Sequence, residues 1–173
     1  MDKRELENLQ RYIGKRSRGQ TDEEVIIHIE KIDSKECITQ EEWGKLLFPI
    51  CANVDIVMMQ YVHRRLKKIE TVRDYVLHTV RFRQNSIEYQ LKQVEILRML
   101  VDSAKEKKLI NILNDALVNA AWFGECEAVK FLIDRGADIE YMSSNGKSIL
   151  ELSQNAIDKF DDYRVYNYIS DLL

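Results

Sequence analysis

Two stretches of the chain match others at a spacing of 32–33 residues, and this limits the fold more than any other feature. Leu150, within Asn145-Gly146-Lys147-Ser148-Ile149-Leu150-Glu151-Leu152-Ser153, follows Leu117 by 33 residues. Leu100-Val101-Asp102-Ser103 matches Leu132-Ile133-Asp134-Arg135 at a distance of 32. A period of this length marks one supersecondary unit repeated along the chain. A single helix pair cannot bury both its faces, so about three units must stack and the end units must act as caps.

The local signals predict helices throughout. Thr21-Asp22-Glu23-Glu24 and Thr39-Gln40-Glu41-Glu42 have capping-box spacing, in which a hydroxyl and a Glu three residues later satisfy each other's backbone N–H groups. The first box leads into Val25-Ile26-Ile27-His28-Ile29, which we read as helix despite its β-branching. The second precedes the stripe Trp43, Leu46, Leu47, Ile50. Ile56, Met59, Val62 and Leu66 predict a helix from Asp55 to about Lys68, with Met58-Met59 in the core. Val72, Val76 and Val80 predict another, and Ile87 to Val101 a third, with Asn85-Ser86 as break and cap. Further helices are expected at 108–122, 125–135, 148–156 and 161–172. Nothing alternates at period two, so no sheet is expected.

Composition fixes the broad class. With 45% hydrophobic residues, one Pro and six Gly in 173, the chain is neither disordered nor loop-rich. No apolar run approaches the roughly 20 residues of a membrane span. The mixed-charge start, Met1-Asp2-Lys3-Arg4-Glu5-Leu6-Glu7, does not read as a signal peptide. Three cysteines at unrelated spacings (Cys37, Cys51, Cys126) argue against a disulfide scaffold and suit a reducing cytoplasm. The net charge of −3 disfavours a nucleic-acid partner. The basic strip His63-Arg64-Arg65-Leu66-Lys67-Lys68 reads as a helix end, and Arg11, Lys15, Arg16 and Arg18 as a basic arm.

The stretch Ala116-Leu117-Val118-Asn119-Ala120-Ala121-Trp122-Phe123-Gly124 runs into Glu127-Ala128-Val129-Lys130-Phe131-Leu132-Ile133-Asp134-Arg135-Gly136-Ala137-Asp138. It resembles an ankyrin repeat: a first helix ending in a small pair, a Gly turn, a second helix and a Gly-Ala-Asp exit. The resemblance is strong over 115–153, moderate over 86–173, weak over 40–85, and does not reach residues 1–38. Ala52-Asn53-Val54-Asp55-Ile56-Val57 resembles the turn at Gly124 through Val129, but Pro49 stands where a small helical residue belongs. Ser148-Ile149 keeps the hydroxyl of the family's Thr-Pro cap and loses the Pro. The resemblance implies an all-α fold: a short ankyrin-like helical-repeat solenoid with a divergent helical N-terminal cap. Residues 1–38 would be an arm or cap and 39–173 stacked helix pairs, ankyrin-like from about 86. At the far end, the last helix would present Asp161, Asp162, Arg164 and Asp171 on a polar face.

Ankyrin repeats mostly bind other proteins through a concave surface and loop tips. The variable contact positions fall here on Trp122 and Phe123 after the small pair, and on Met142, Ser144, Asn145 and Lys147 in the loop before the next helix. One ring of the Trp122-Phe123 pair could equally belong to the core. Glu125, Asp138 and Glu140 lie near these positions, which favours a partner with a basic surface.

Competing chemistry is sparse. Arg73-Asp74-Tyr75-Val76-Leu77-His78 fits the Arg-x4–6-His pattern seen in HEPN-class ribonucleases, where His does acid–base work at a phosphate. On an ideal helix, however, a five-residue separation sets the two side chains about 140° apart. His28, His63 and His78 lack metal-site spacing, and neither a Gly-rich phosphate loop nor a nucleophile elbow occurs. The expectation is a non-enzymatic, cofactor-free protein-binding module, a dedicated inhibitor or immunity-type protein that blocks its partner. The alternatives are a general ankyrin-type adaptor or effector and an RNA-acting helical protein using Arg73 and His78. The step to inhibition is fold-level analogy.

Overall fold

Several helix starts in this chain are set by side chains one turn apart. In the computed structural model, Thr21 N–H donates to Glu24 Oε2 (2.9 Å) and Glu24 N–H returns to Thr21 Oγ1 (3.2 Å). Thr39 and Glu42 repeat the exchange at 2.8 and 3.3 Å, and Ser148 and Glu151 at 2.8 and 3.2 Å. Ser86 caps the next helix by accepting from Tyr89 N–H, as Asp55 does from Met58 N–H. Each such cap stabilises its helix by about 1 kcal/mol. The β-branched run Val25–Ile29 is helical, with Val25 and Ile29 fully buried.

The structure describes residues 1–14, 19–67, 69, 72–81, 83, 86–104 and 108–173. Lys15, Arg16 and Arg18 of the expected basic arm, Lys68 of the basic strip and Asn85 of the expected break lie outside these residues. All the regular elements among the described residues are α-helices, and the one β-bridge joins Met142 to Ser148. No helix among them is long and apolar enough to cross a membrane. The chain divides into two compact units, Met1–Glu70 and Thr71–Leu173.

The first unit contains α1 (Lys3–Gly14), α2 (Asp22–Glu36), α3 (Gln40–Lys45), α4 (Leu47–Asn53) and α5 (Ile56–His63). Residues 1–38 belong to this unit: α1 packs on α4, and α2 on α5. The stripe Trp43, Leu46, Leu47, Ile50 is buried as expected but is carried by two short helices. Pro49 lacks an N–H, and its ring crowds the carbonyl four residues back, which belongs to Lys45. Gln10 of α1 donates to that Lys45 carbonyl at 2.8 Å and so replaces the missing intrahelical donor. Met58 and Met59 are fully buried in the same core.

α5 ends at His63 and not near Lys68 as expected, so residues 64–67 of the basic strip follow the helix. Arg65 lies 3.7 Å from the Tyr61 ring centroid and 5.4 Å from that of Trp43, and its Nη2 donates to Glu30 at 3.2 Å. Gln40 accepts from Lys67 N–H and donates to the Arg65 carbonyl, which ties the strip back to α3.

The second unit contains α6 (Arg73–Thr79), α7 (Ile87–Ser103), α8 (Leu109–Phe123), α9 (Cys126–Asp134), α10 (Ile149–Phe160) and α11 (Arg164–Leu172). They pair in sequence order as α6 with α7, α8 with α9 and α10 with α11. Across the pairs, α8 packs against both α6 and α10, while α9 packs against α7 and α11. Ala116, Ala120 and Ala121 of the central helix α8 are fully buried, and their small size permits close helix approach.

One turn geometry recurs in both units. Gly124 (φ 75°) follows α8, Asp161 (φ 54°) follows α10 and Val54 (φ 52°) follows α4, all left-handed. The N–H after each reaches back to the last helical turn: Glu125 to Ala120, Asp162 to Ala156 and Asp55 to Ile50. This is the Schellman pattern, which satisfies carbonyls that a helix end leaves free. The upstream turn therefore aligns Val54 with Gly124, two residues away from the alignment of Ala52 with Gly124 read from sequence. The polar end of the last helix also differs from expectation. Asp161, Arg164 and Asp171 are exposed, but Asp162 is buried against two guanidiniums.

Candidate partner-binding cavity

The last turn of α8 ends on Trp122 and Phe123 because Gly124 breaks the helix directly after them. Both rings are half-buried, each combining core packing with an accessible face. Their carbonyls, which α8 cannot satisfy itself, receive side chains from distant segments. Asn155 Nδ2 of α10 donates to the Trp122 carbonyl at 2.8 Å, and Arg83 Nη1 to that of Phe123 at 3.3 Å. The Lys159 ammonium lies 5.4 Å from the Trp122 ring centroid, at cation–π distance.

The exit loop of α9 forms a small hairpin before α10. Ser143 N–H donates to the Lys147 carbonyl, and Gly146, at φ 70°, closes the turn by donating to the Ser143 carbonyl, both at 2.9 Å. Ser143 Oγ also accepts from Lys147 N–H. The hairpin leaves Ser144, Asn145 and Lys147 exposed beside the end of α8.

These two segments enclose an open cavity of about 610 Å³ together with the end of α6 and with Leu152 of α10. Trp122, Phe123, Ser144, Asn145 and Lys147, five of the six residues expected to contact a partner, line it. Met142 is 51% exposed but stands outside the lining. Sequence reasoning missed Asn119, Leu77 and Arg81 as lining residues, and Asp74 with them. Asn119 carried a usable signal, since it lies one helical turn before Trp122. The α6 residues did not, because nothing local in the sequence brings α6 beside the end of α8.

The ionic lining is Arg81, Lys147 and Asp74, joined by His78. Asp74 already has Arg73 3.8 Å away. Arg73 is outside the lining and donates to Asp115 at 3.0 Å, so the cavity takes in His78 without Arg73. The acidic residues from which a basic partner was expected are placed elsewhere. Glu125 is fully buried, and Asp138 and Glu140 are exposed but do not line the cavity. Among the described residues, no group of three His, Cys, Asp or Glu side chains is placed to hold a metal ion.

Comparison with protein-family models, curated proteins and solved structures gave no match to this chain.

Proposed function

We propose that Thr71–Leu173 is a short ankyrin-like stack of three helix pairs, and that the protein is a non-enzymatic module binding one partner protein through the Trp122–Phe123 cavity. Its role in this reading is that of a dedicated inhibitor or immunity-type protein. The observation that carries the reading is convergence: five expected contact positions from two separate segments line one open cavity. Two half-buried aromatic rings inside a polar, exposed rim have the composition of an interface hot spot. The stacking of α6, α8 and α10 on one side and α7, α9 and α11 on the other supports the ankyrin-like part, as does the hairpin between α9 and α10.

The test is affinity capture from native extract with the wild type and a Trp122→Ala/Phe123→Ala variant whose fold is checked by circular dichroism. The expected result is one protein held at one-to-one stoichiometry and bound about 100-fold more weakly by the variant, the scale of losing two hot-spot rings. Undiminished capture by the folded variant would overturn the reading. Inhibition is tested separately, by adding one equivalent of the protein to an activity assay of the captured partner.

A further inference from the structure

We propose that the partner segment seated in this cavity is acidic: a peptide stretch with carboxylates toward Arg81 and Lys147 and an apolar side chain against Trp122 and Phe123. The proposal rests on the protein-binding reading above and specifies its partner. Its basis is a contrast in how the cations of the second unit are used. Arg73, Arg83, Lys92, Lys130, Arg135 and Arg164 each have a carboxylate within 4.0 Å. Among the described residues of this unit, Arg81, Arg98, Lys108, Lys147 and Lys159 have no ion pair. Three of the five gather at the cavity: Arg81 and Lys147 in its lining, and Lys159 over the Trp122 ring.

The single lining carboxylate, Asp74, shares its charge with Arg73. The space beside the aromatic pair is thus a positive surface without its counter-charge, and a carboxylate entering it is both attracted and fixed in register. The apolar share of the site comes from Leu77, Val118 and Leu152 beside the two rings, so a purely ionic occupant would leave it unfilled.

A nucleic acid fits less well. Its binding needs a basic track that follows several phosphates. Thr71–Leu173 instead carries 16 acidic and 13 basic residues, a net charge of −3.

The experiment presents the full chain to an array of random 12-residue synthetic peptides, with a fluorescein-labelled 12-nucleotide single-stranded RNA as a second probe. Three proteins are compared: wild type, the charge-reversed Arg81→Glu/Lys147→Glu, and Trp122→Ala/Phe123→Ala. Arg81 and Lys147 are exposed, so the reversed variant should keep its fold, which a melting curve verifies. The wild type is expected to retain peptides that place Asp or Glu next to an aromatic or aliphatic residue. Charge reversal should weaken them by at least about tenfold and turn selection toward Lys and Arg. Selection of neutral or basic peptides by the wild type, or unchanged selection after charge reversal, overturns the acidic partner. The protein-binding reading still stands in that case if the double-alanine variant loses the peptides. Retention of the RNA instead of peptides, or of neither, overturns both.

Discussion

Arg83 Nη2 donates to Asp162 Oδ2 at 3.0 Å across 79 residues of chain, with both side chains largely buried. The same guanidinium donates to the Phe123 carbonyl and lies 4.2 Å from the Phe160 ring centroid. Arg164 grips the carboxylate from its other side, with Nε 3.0 Å from Oδ1 and Nη2 2.8 Å from Oδ2. One arginine therefore joins the chain after α6 to the end of α8 and to the turn between α10 and α11. Removing it leaves a part-buried carbonyl without that donor and a buried carboxylate with only one guanidinium. Arg83→Ala should lower stability by about 3 kcal/mol. Arg83→Lys should recover little, because an ammonium cannot reproduce the planar fork. Urea unfolding of the full chain measures both.

The same carboxylate makes stability depend on acid. The hydrogen bonds from Arg164, helped by Arg83, hold Asp162 at about 2, below its ordinary 3.8, against the opposing effect of burial. The folded state thus favours the ionised form. The stabilisation is complete above about pH 4 and is lost as pH falls through 2. Its size is about 2 kcal/mol by linkage. Melting temperatures of wild type and Asp162→Asn between pH 2 and 7 should converge at the acid end, with the wild type well above the variant near neutrality. Parallel curves would show that Asp162 does not carry the acid sensitivity.

Gly124 and Gly146 both adopt positive φ, yet their substitution should differ sharply. A Cβ on Gly124 would meet Arg83 Nη1 at 2.8 Å and Ala156 Cβ at 2.9 Å, whereas one on Gly146 would meet nothing within 4 Å. Gly146→Ala should cost only the left-handed backbone penalty, about 1 kcal/mol. Gly124→Ala adds overpacking to that penalty and should cost about 3 kcal/mol. Equal losses in denaturant unfolding would show that the close approach at Gly124 relaxes freely.

The tyrosine beneath Arg65 gives an optical readout for the first unit. Burial pushes the Tyr61 phenol up to about 12, with the Arg65 charge pulling the other way. In an alkaline absorbance titration of the eight tyrosines, a step near pH 12 is expected from Tyr61, and Tyr61→Phe should remove it. The raised value also means that stability falls as pH climbs from 10 toward 12, where the unfolded phenol ionises first. Arg65→Ala should cost about 1–2 kcal/mol through lost stacking and pairing with Glu30. Arg64→Ala, on the exposed side of the strip, should stay within about 0.5 kcal/mol.

Helix starts were readable because a capping hydroxyl and its partner lie three residues apart, so Thr21, Thr39, Ser86 and Ser148 carry their structural meaning locally. The end of α8 was equally local, since a glycine accepts the left-handed conformation that the turn needs. The same turn at Val54 was displaced by two residues in the sequence reading, because a β-branched residue at positive φ leaves no compositional mark. The stripe around Trp43 was legible as buried, but its break was not placed: Pro49 orphans the Lys45 carbonyl, and only packing shows that Gln10 supplies the donor. Trp122, Phe123, Ser144, Asn145 and Lys147, singled out by the resemblance to an ankyrin repeat, line one cavity. Local sequence therefore marks the capped starts of α2, α3, α5, α7 and α10 and the loop that precedes α10. Only packing across the fold brings His78 and Arg81 into one cavity lining with Trp122 and buries Asp162 between two arginines. The physical reason is range. Caps and turns are settled by neighbours a few residues away, whereas the sign of charge in a cavity depends on which cations keep their carboxylate after segments tens of residues apart have packed.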